Sequence, residues 1–396
     1  MSHKPVLIAG FSGRALAQSA RRAGFTPYVF DAYGDEDTAE AASKNISDPK
    51  ILSTGFRAKP TIAALSILKD ATGDPNPPLV LGAGFEQSPK LIAALEAQFD
   101  VRGCSAKTVA TVKDPKSFFG ILHDQGIAYP ATLTDQHIEA KPEHDNDAGE
   151  PRDPEKTWLS KRIGGMGGLH IDVIEPDTPL ASRHYAQERL SGLSISATAL
   201  AADGHQAFAF TQSWIKPTGD MPFRYGGVVG SVSPDIELET HLVDTMTALV
   251  KTFELRGMVS FDFIVREGEA FLLEINPRPT AALDVLDDAR GTLFKAHLAA
   301  TAGDGATAIN FLQSDWSPTT KAAAYLYADA GPLTIPQVAW PTWVCDRPRQ
   351  GNTIAHHAPI LTVISDGDTP AAAAKRTQQR LEHMAYVVYD SAKKGD

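Results

Sequence analysis

The chain has 396 residues, of which 43% are hydrophobic and 21% are charged, a composition typical of a globular protein with two or three domains. Its formal net charge of -11 argues against a nucleic-acid partner, because a phosphate backbone requires concentrated Lys and Arg. Cys104 and Cys345 are the only cysteines, which disfavours a disulfide framework and a zinc site. With no signal-type segment and no long apolar run, we expect a cytoplasmic protein without a membrane span.

The first hundred residues alternate strands and helices, which predicts a small parallel sheet. The expected strands lie at 5–10, 27–31 and 79–82, and the expected helices at 13–23 and 89–98. Gly10 and Gly13 lie at the first strand-to-helix turn, with Asp31 after the next strand, which superficially matches a dinucleotide-binding fingerprint. The spacing is not GxGxxG, so we favour a tight turn in a doubly wound sheet.

The rest of the chain is expected to contain more strands than helices. Residues 134–156 are polar and aperiodic, which is typical of a surface insertion. The other expected elements are a helix at 116–126, strands at 157–161, 169–174, 185–190, 194–201 and 206–213, a helix at 239–255, two strand-like stretches within 343–364, and a helix at 370–383.

A glycine-rich stretch, Lys-Arg-Ile-Gly-Gly-Met-Gly-Gly at 161–168, joins two of these strands. Its glycines are Gly164, Gly165, Gly167 and Gly168. Backbone amides in such a loop can approach phosphate oxygens that side chains would block, and Lys161 adds a positive charge on the preceding strand. The stretch lacks GK[ST] and is not a P-loop. A plain hairpin turn is the alternative interpretation.

Two runs of period-2 alternation, at 261–266 and 271–276, predict an antiparallel hairpin. Aligning their apolar faces pairs Phe263 with Leu273, which requires a three-residue loop at 267–269.

That register brings three oxygen-bearing side chains to one face at one end of the hairpin. They are Asp262, which lies opposite Glu274, and Asn276, two residues further along. Carboxylate and amide oxygens are the ligands that Mg²⁺ prefers, and Arg278 adds a guanidinium beside them. The alternative is the solvated face of an ordinary hairpin.

The string Phe-Asp-Phe at 261–263, followed by Glu-Ile-Asn-Pro-Arg-Pro at 274–279, resembles the metal-binding hairpin of the ATP-grasp superfamily. In that family an acid and a Glu-x-Asn hold two Mg²⁺ ions. The glycine-rich stretch and the segment at 187–192 resemble the phosphate-binding loop and the adenine-binding hinge, in the family's order. The resemblance implies that ATP is bound by Lys161, Gly164, Gly165, Gly167, Gly168, Gln187, Glu188 and Leu190.

Two further positions are judged against the family pattern. A phosphate-binding Lys or Arg usually begins the helix before a Gly-Ile-x-x-Pro segment, here 126–130; the spacing favours Lys116, and Lys113 is close enough to compete. Ser194 stands where many members carry a ribose-binding acid, which leaves sugar recognition open.

The resemblance implies an α/β and α+β multidomain fold. A Rossmann-like domain that precedes the ATP-grasp region would span 1–108, the two ATP-grasp subdomains 109–190 and 191–325, and a small C-terminal subdomain 326–396. The last of these resembles the corresponding part of ligases related to biotin carboxylase.

The activity that the resemblance implies is a carboxylate-amine ligase that uses ATP and two Mg²⁺ ions. Asp262, Glu274 and Asn276 would hold the metal, and Arg278 would stabilise the acyl phosphate. The partners would be small-molecule carboxylates and amines, without nucleic acid or membrane. Dimers are common among such enzymes, so a homodimer is compatible, although the sequence leaves the oligomeric state open.

The substrate site is less well specified. Ligands of open α/β sheets bind beyond the carboxyl ends of the strands, which makes Ser12 and Glu86 candidates, and Arg224 could meet an anionic substrate. The overall layout and the C-terminal part also resemble ATP-grasp ligases associated with tetrahydromethanopterin or methylofuran biosynthesis in one-carbon metabolism. Three alternatives stay open: a biotin-carboxylase-like enzyme, a nucleotide-binding module without turnover, and a nicotinamide-dependent oxidoreductase.

Overall fold

The computed structural model describes residues 4–134 and 156–394. Apart from its two end residues, the insertion expected at 134–156 lies outside the described residues.

The N-terminal part is a five-stranded parallel sheet in the order β3-β2-β1-β4-β5. Its strands are β1 (Lys4–Gly10), β2 (Phe25–Asp31), β3 (Lys44–Ser47), β4 (Pro78–Leu81) and β5 (Asp100–Arg102). Its helices are α1 (Arg14–Arg22), α2 (Glu36–Ala41), α3 (Ile51–Thr54), α4 (Ala58–Thr72) and α5 (Pro89–Glu96). Residues 6–9 of the central strand are completely buried, as expected of a strand covered on both faces, and this explains its uninterrupted apolar sequence.

Two helices lead from this sheet to a second, antiparallel one. Helix α6 (Ala106–Lys113) is capped by Ser105, and α7 (Pro115–Asp124) by Asp114. The second sheet has four strands in the order β6-β9-β7-β8. They are β6 (Thr132–Leu133), β7 (Trp158–Arg162), β8 (Ile171–Ile174) and β9 (His184–Glu188).

The third sheet has eight antiparallel strands in the order β14-β13-β10-β11-β12-β15-β19-β17. They are β10 (Leu193–Ala202), β11 (His205–Ile215), β12 (Tyr225–Val232), β13 (Gly257–Arg266), β14 (Glu269–Asn276), β15 (Lys321–Tyr327), β17 (Val344–Cys345) and β19 (Pro359–Asp366). A separate small pair joins β16 (Leu333–Thr334) to β18 (Thr353–Ile354). The accompanying helices are α8 (Ile236–Thr252), α9 (Leu283–Leu286), α10 (Thr292–Thr301), α11 (Gly305–Ser314) and α12 (Pro370–Lys394).

The structure matches the expected mixed α/β multidomain fold. The boundary expected at 325/326 falls within β15, because the eight-stranded sheet continues into the C-terminal region. The boundary at 190/191 falls between the second and third sheets, and the one at 108/109 falls within α6. The four-part division of the chain stays a proposal.

The hairpin of β13 and β14 keeps part of the predicted register and changes the rest. Asp262 pairs with Glu274, as predicted, but Phe263 pairs with Leu272 instead of Leu273. A β-bulge between Asp262 and Phe263 takes up the extra residue, so the turn has two residues, Glu267 and Gly268. Both have positive φ, of 53° and 83°, as in a tight type I′ turn. The predicted three-residue loop is therefore wrong.

In the described part of the chain, the helices are too short or too polar for any of them to span a membrane.

Candidate active site

Asp262, Glu274 and Asn276 converge at one end of this hairpin. The side-chain amide of Asn276 donates to Asp262 Oδ2 at 2.9 Å and to Glu274 Oε1 at 3.3 Å. Ser196, directly opposite Asp262 on β10, donates its hydroxyl to Asp262 Oδ1 at 2.6 Å. Neighbouring strands in antiparallel register thus place all four polar side chains on one face.

Lys113, the last residue of α6, reaches into the same cluster. Its Nζ lies 3.3 Å from Glu274 Oε2 and 3.1 Å from Asn276 Oδ1, and its side chain is 9% exposed. Burial acts to raise the pKa of Glu274, but the charges of Lys113 and Lys161 outweigh it and hold that pKa below its ordinary value. Burial and the neighbouring Glu274 raise the pKa of Asp262.

The donor set of this cluster fits a magnesium site. Two carboxylates and an amide oxygen are hard ligands, and the raised pKa of Asp262 shows that the two acids need more positive charge to ionise together. Within residues 4–134 and 156–394, no group of three His, Cys, Asp or Glu side chains is arranged to hold a metal ion. The cluster therefore depends on the amide of Asn276, on water or on a ligand to complete a coordination shell.

Lys161 and Gln187 meet beside this cluster. Lys161 Nζ donates to Gln187 Oε1 at 2.6 Å, and Gln187 Nε2 donates to Thr132 Oγ1 at 3.0 Å. Lys161 is 9% exposed; burial lowers its pKa, whereas Glu274 and Asp262 act to raise it. The strand that precedes the glycine-rich loop thus presents its lysine towards the acids of the hairpin.

The remaining residues of the expected hinge lie at the end of β9. The Glu188 carboxylate forms an ion pair with Lys156 at 3.0 Å, and its backbone N–H donates to the carbonyl of Ala131. Leu190 follows the strand and is half-buried. Ser194 Oγ lies 3.2 Å from Ser213 Oγ on the neighbouring strand.

The glycine-rich loop between β7 and β8 packs against two other parts of the chain. Gly164, Gly167 and Gly168 have φ values of 71°, 68° and 72°, which favour glycine. A Cβ on Gly164 would lie 2.7 Å from the side chain of Gln87, and one on Gly168 would lie 1.8 Å from the carbonyl oxygen of Phe223. The loop is therefore held between the N-terminal sheet and the segment before β12.

His170 follows the loop and was missed in the sequence analysis. Its ring packs under Gly165, where a Cβ would lie 2.1 Å from the imidazole. Its buried Nδ1 has no hydrogen-bond partner in the described part of the chain, and burial lowers its pKa to about 4. It lines a cleft with about 400 Å³ of empty volume, together with Lys113 and Glu274. A histidine just after a glycine-rich loop was the available signal.

Glu86 and Arg278 form a buried ion pair between the N-terminal sheet and the hairpin. Arg278 Nε donates to one oxygen of Glu86, and the backbone N–H of Gly84 donates to the other at 2.7 Å. Burial acts to raise the pKa of Glu86, but Arg278 and Lys113 hold it below its ordinary value. Both residues line a second cleft, together with Phe85 and Cys104.

Two further residues of the expected site differ in their surroundings. Lys116 is exposed, whereas Lys113, the competing candidate, lies among the hairpin acids. Arg224 is completely buried and makes two bonds to Asp329, at 2.7 and 2.9 Å, and one to the carbonyl of Lys216. These contacts hold its guanidinium within the fold.

Comparisons with known proteins give matches of sequence and of fold. Residues 113–282 match the family model described as the ATP-grasp domain. N5-carboxyaminoimidazole synthetase from Staphylococcus aureus, solved with ADP, superimposes with a TM-score of 0.64 at 12% identity and covers 96% of this chain and 97% of its own. Biotin carboxylase from Campylobacter jejuni gives a TM-score of 0.67 at 13% identity, over 94% of this chain and 89% of its own.

A curated relative gives a sequence match as well. The carbamoyl phosphate synthase large chain of Thermomicrobium roseum is 23% identical over 273 residues, which is 62% of this chain and 24% of that protein. The matches span about a quarter to a third of the length of the curated relatives. The chain thus has the fold of the ATP-grasp ligases. The match to the ATP-grasp domain covers residues 113–282 and includes the cluster at the hairpin.

Proposed function

We propose that the chain is an ATP-dependent carboxylate-amine ligase that works through an acyl phosphate. One observation carries this proposal. Asp262, Glu274 and Asn276 lie together with two lysines next to the glycine-rich loop. A magnesium-bound triphosphate requires oxygen ligands for the metal and positive side chains for the phosphate oxygens within one site. No Ser-His-Asp triad or nucleophilic cysteine is needed, because positioning and charge neutralisation account for most of phosphoryl-transfer catalysis.

The proposed roles follow from position. Asp262, Glu274 and Asn276 would hold two Mg²⁺ ions, whose charge neutralises the triphosphate. Lys161 and Lys113 would bind phosphate oxygens, and the loop glycines would present backbone amides to the same group. Gln187, Glu188 and Leu190 would contact the adenine from the end of β9.

In the first step, a carboxylate oxygen of one substrate attacks the γ-phosphorus of ATP, and ADP leaves. In the second, the neutral nitrogen of the amine attacks the acyl carbon, the carbon–oxygen bond breaks, phosphate leaves, and the nitrogen loses a proton to solvent. Arg278, which forms an ion pair with Glu86, would stabilise the oxygens of the acyl phosphate. The side chain of Glu86 would therefore position Arg278 and not touch the phosphate itself.

The test is Glu274→Gln, with Glu269→Gln as its control, because Glu269 is exposed at the start of the same strand. ADP release is measured across a panel of carboxylates and amines, with thermal melting as a check of folding. We expect Glu274→Gln to lower turnover by about 10²- to 10³-fold with little change in melting temperature, and Glu269→Gln to stay within about twofold of wild type. Unchanged turnover in Glu274→Gln would remove the metal assignment.

The finer role that we propose is biosynthesis of a one-carbon carrier cofactor, tetrahydromethanopterin or methylofuran. The support is the resemblance of the overall layout and of residues 345–354. ADP release that depends on bicarbonate and biotin, and not on an amine, would indicate a biotin-carboxylase-like enzyme instead. Binding of MgATP without ADP release across the whole panel would indicate a nucleotide-binding module.

A further inference from the structure

A group of acids and tyrosines lies beside the hairpin cluster and has no part in the proposed reaction. This acid-tyrosine cluster consists of Asp35, Asp284, Asp346, Tyr33, Tyr225 and Tyr325. Its members come from five places: the β2–α2 turn, β12, α9, β15 and the residue after β17. The backbone N–H of Glu36 donates to the Arg347 carbonyl at 2.9 Å, and Thr362, which pairs with Tyr325, donates to Asp346, so these places meet.

Most of the buried acids in this region are fully paired. Arg14 donates to Asp284 and to Asp346, and Asp346 also accepts from Ser12 at 3.0 Å and Thr362 at 2.5 Å. The carboxylates of Asp31 and Asp37 accept two backbone N–H groups each. These contacts explain why the acids persist inside the fold.

Asp35 is the exception. It is only 6% exposed, and its carboxylate makes no hydrogen bond or ion pair with any residue in the described ranges. Burial, and then the charges of Asp346, Asp31 and Asp37, raise its pKa well above the ordinary value, and Arg14 offsets only part of this rise. A buried carboxylate that faces other carboxylates destabilises the fold unless something supplies positive charge.

The tyrosines give the cluster an aromatic wall. Tyr33, Tyr225 and Tyr325 are half-buried, and their hydroxyls make no hydrogen bond with the described residues. The rings of Tyr225 and Tyr325 lie 5.6 Å apart, edge to face. Tyrosine faces attract organic cations, and free hydroxyls can accept from an ammonium group.

The cluster borders the ATP-side residues. The backbone N–H of Tyr225 donates to the carbonyl of Gly167 in the glycine-rich loop. Burial and Tyr325, and then both Asp262 of the hairpin and Asp284 of the cluster, raise the pKa of Tyr225. Tyr225 is therefore the member of the acid-tyrosine cluster that adjoins the glycine-rich loop and the hairpin acids.

We propose that the acid-tyrosine cluster binds the amine substrate of the ligase and selects an amine that is positively charged in solution. That the bound molecule is an amine rests on the proposed function. That it carries a positive charge rests on Asp35 and the tyrosines. An ammonium group would donate to the unpaired Asp35 carboxylate and pack against the tyrosine rings.

The test compares two probes of equal size, 2-phenylethylamine, which is cationic at neutral pH, and 2-phenylethanol, which is neutral. Binding of each is measured by isothermal titration calorimetry on wild type, Asp35→Asn and the control Asp70→Asn, whose carboxylate is exposed on α4. We expect wild type and the control to prefer the amine by at least about tenfold, and Asp35→Asn to prefer it by less than about twofold.

Two further measurements separate binding from structure. Asp35→Asn removes repulsion between buried acids, so its melting temperature should equal or exceed that of wild type. Tyr325→Phe should keep the amine preference, and Tyr325→Leu, which removes the ring, should reduce it about threefold or more.

Equal binding of the two probes by wild type would overturn the proposal. So would an Asp35→Asn protein that keeps the preference, or one that loses it together with several degrees of melting temperature. MgADP binding is measured on the same samples. If MgADP does not bind while the amine preference is present, the ligase proposal fails and the cation site stands.

Discussion

Among single residues, Lys113 is the one whose position the structure distinguishes from its competitor in the proposed ATP site. It ends α6, and the chain then turns at Asp114 into α7, so that Lys113 points inward while Lys116 points to solvent. Its ammonium lies within 3.3 Å of two hairpin side chains. Glu274 is 45% exposed, so solvent screens this ion pair and its contribution to stability is small. In the proposed ATP site, the ammonium group of Lys113 would supply a positive charge beside the phosphate oxygens.

Replacing each lysine by methionine separates the two candidates. We expect Lys113→Met to weaken MgATP binding by at least about tenfold, and Lys116→Met to change it by less than about twofold. Titration calorimetry with MgATP measures both. An equal loss in the two variants, or a larger loss in Lys116→Met, would restore Lys116 to the phosphate role.

Among the elements, the glycine-rich loop shows how local sequence and distant packing combine. Gly167 and Gly168 have nearly the same φ, 68° and 72°, so an alanine at either position meets similar backbone strain. Their surroundings differ: nothing lies within 4 Å of a Cβ on Gly167, whereas one on Gly168 would overlap the Phe223 carbonyl oxygen. The pair therefore isolates the contact between the loop and the segment before β12.

We expect Gly167→Ala to cost about 1 kcal/mol in local strain with little loss of MgATP affinity. Gly168→Ala adds the overlap and must displace the loop, so it should bind MgATP at least about tenfold more weakly than Gly167→Ala. Titration calorimetry with MgATP measures the affinities, and circular dichroism checks the fold. Equal affinities would show that the loop does not need its contact with Phe223 to bind ATP.

At the scale of the whole molecule, Arg14 joins three distant parts of the chain. It lies on α1, and its guanidinium binds Asp284 of α9 and Asp346, which follows β17. The side chains are 3%, 9% and 17% exposed, so water cannot replace the arginine. Two buried carboxylates left without their cation destabilise a fold much more than a broken surface pair does.

Arg14→Met should lower the free energy of unfolding by about 3–5 kcal/mol. The control is Arg376→Met, which breaks the exposed pair with Asp366, and it should change stability by no more than about 0.5 kcal/mol. Unfolding in guanidinium chloride, followed by circular dichroism, gives both values. A similar small change in the two variants would show that the buried network does not hold the three parts together.

Much of the fold and of the candidate site followed from local patterns. Period-2 alternation and a glycine turn predicted the β13–β14 hairpin, and the pairing of Asp262 with Glu274 is confirmed. The predicted turn was wrong. Alignment of the apolar faces alone favoured a three-residue loop, whereas a bulge beside Phe263 allows a two-residue turn. A bulge depends on the backbone pairing along the whole strand, which alternation of side chains does not show.

The sequence by itself determined the order of the glycine-rich loop, the segment at 187–192 and the hairpin with its acids, because neighbours in the chain specify each of them. The tertiary structure decided which lysine joins the acids, that Arg224 pairs with Asp329, and that Arg14 pairs with Asp346, 332 positions away. Such contacts depend on how separate sheets pack, and residues far apart in sequence carry no local periodicity that could reveal them.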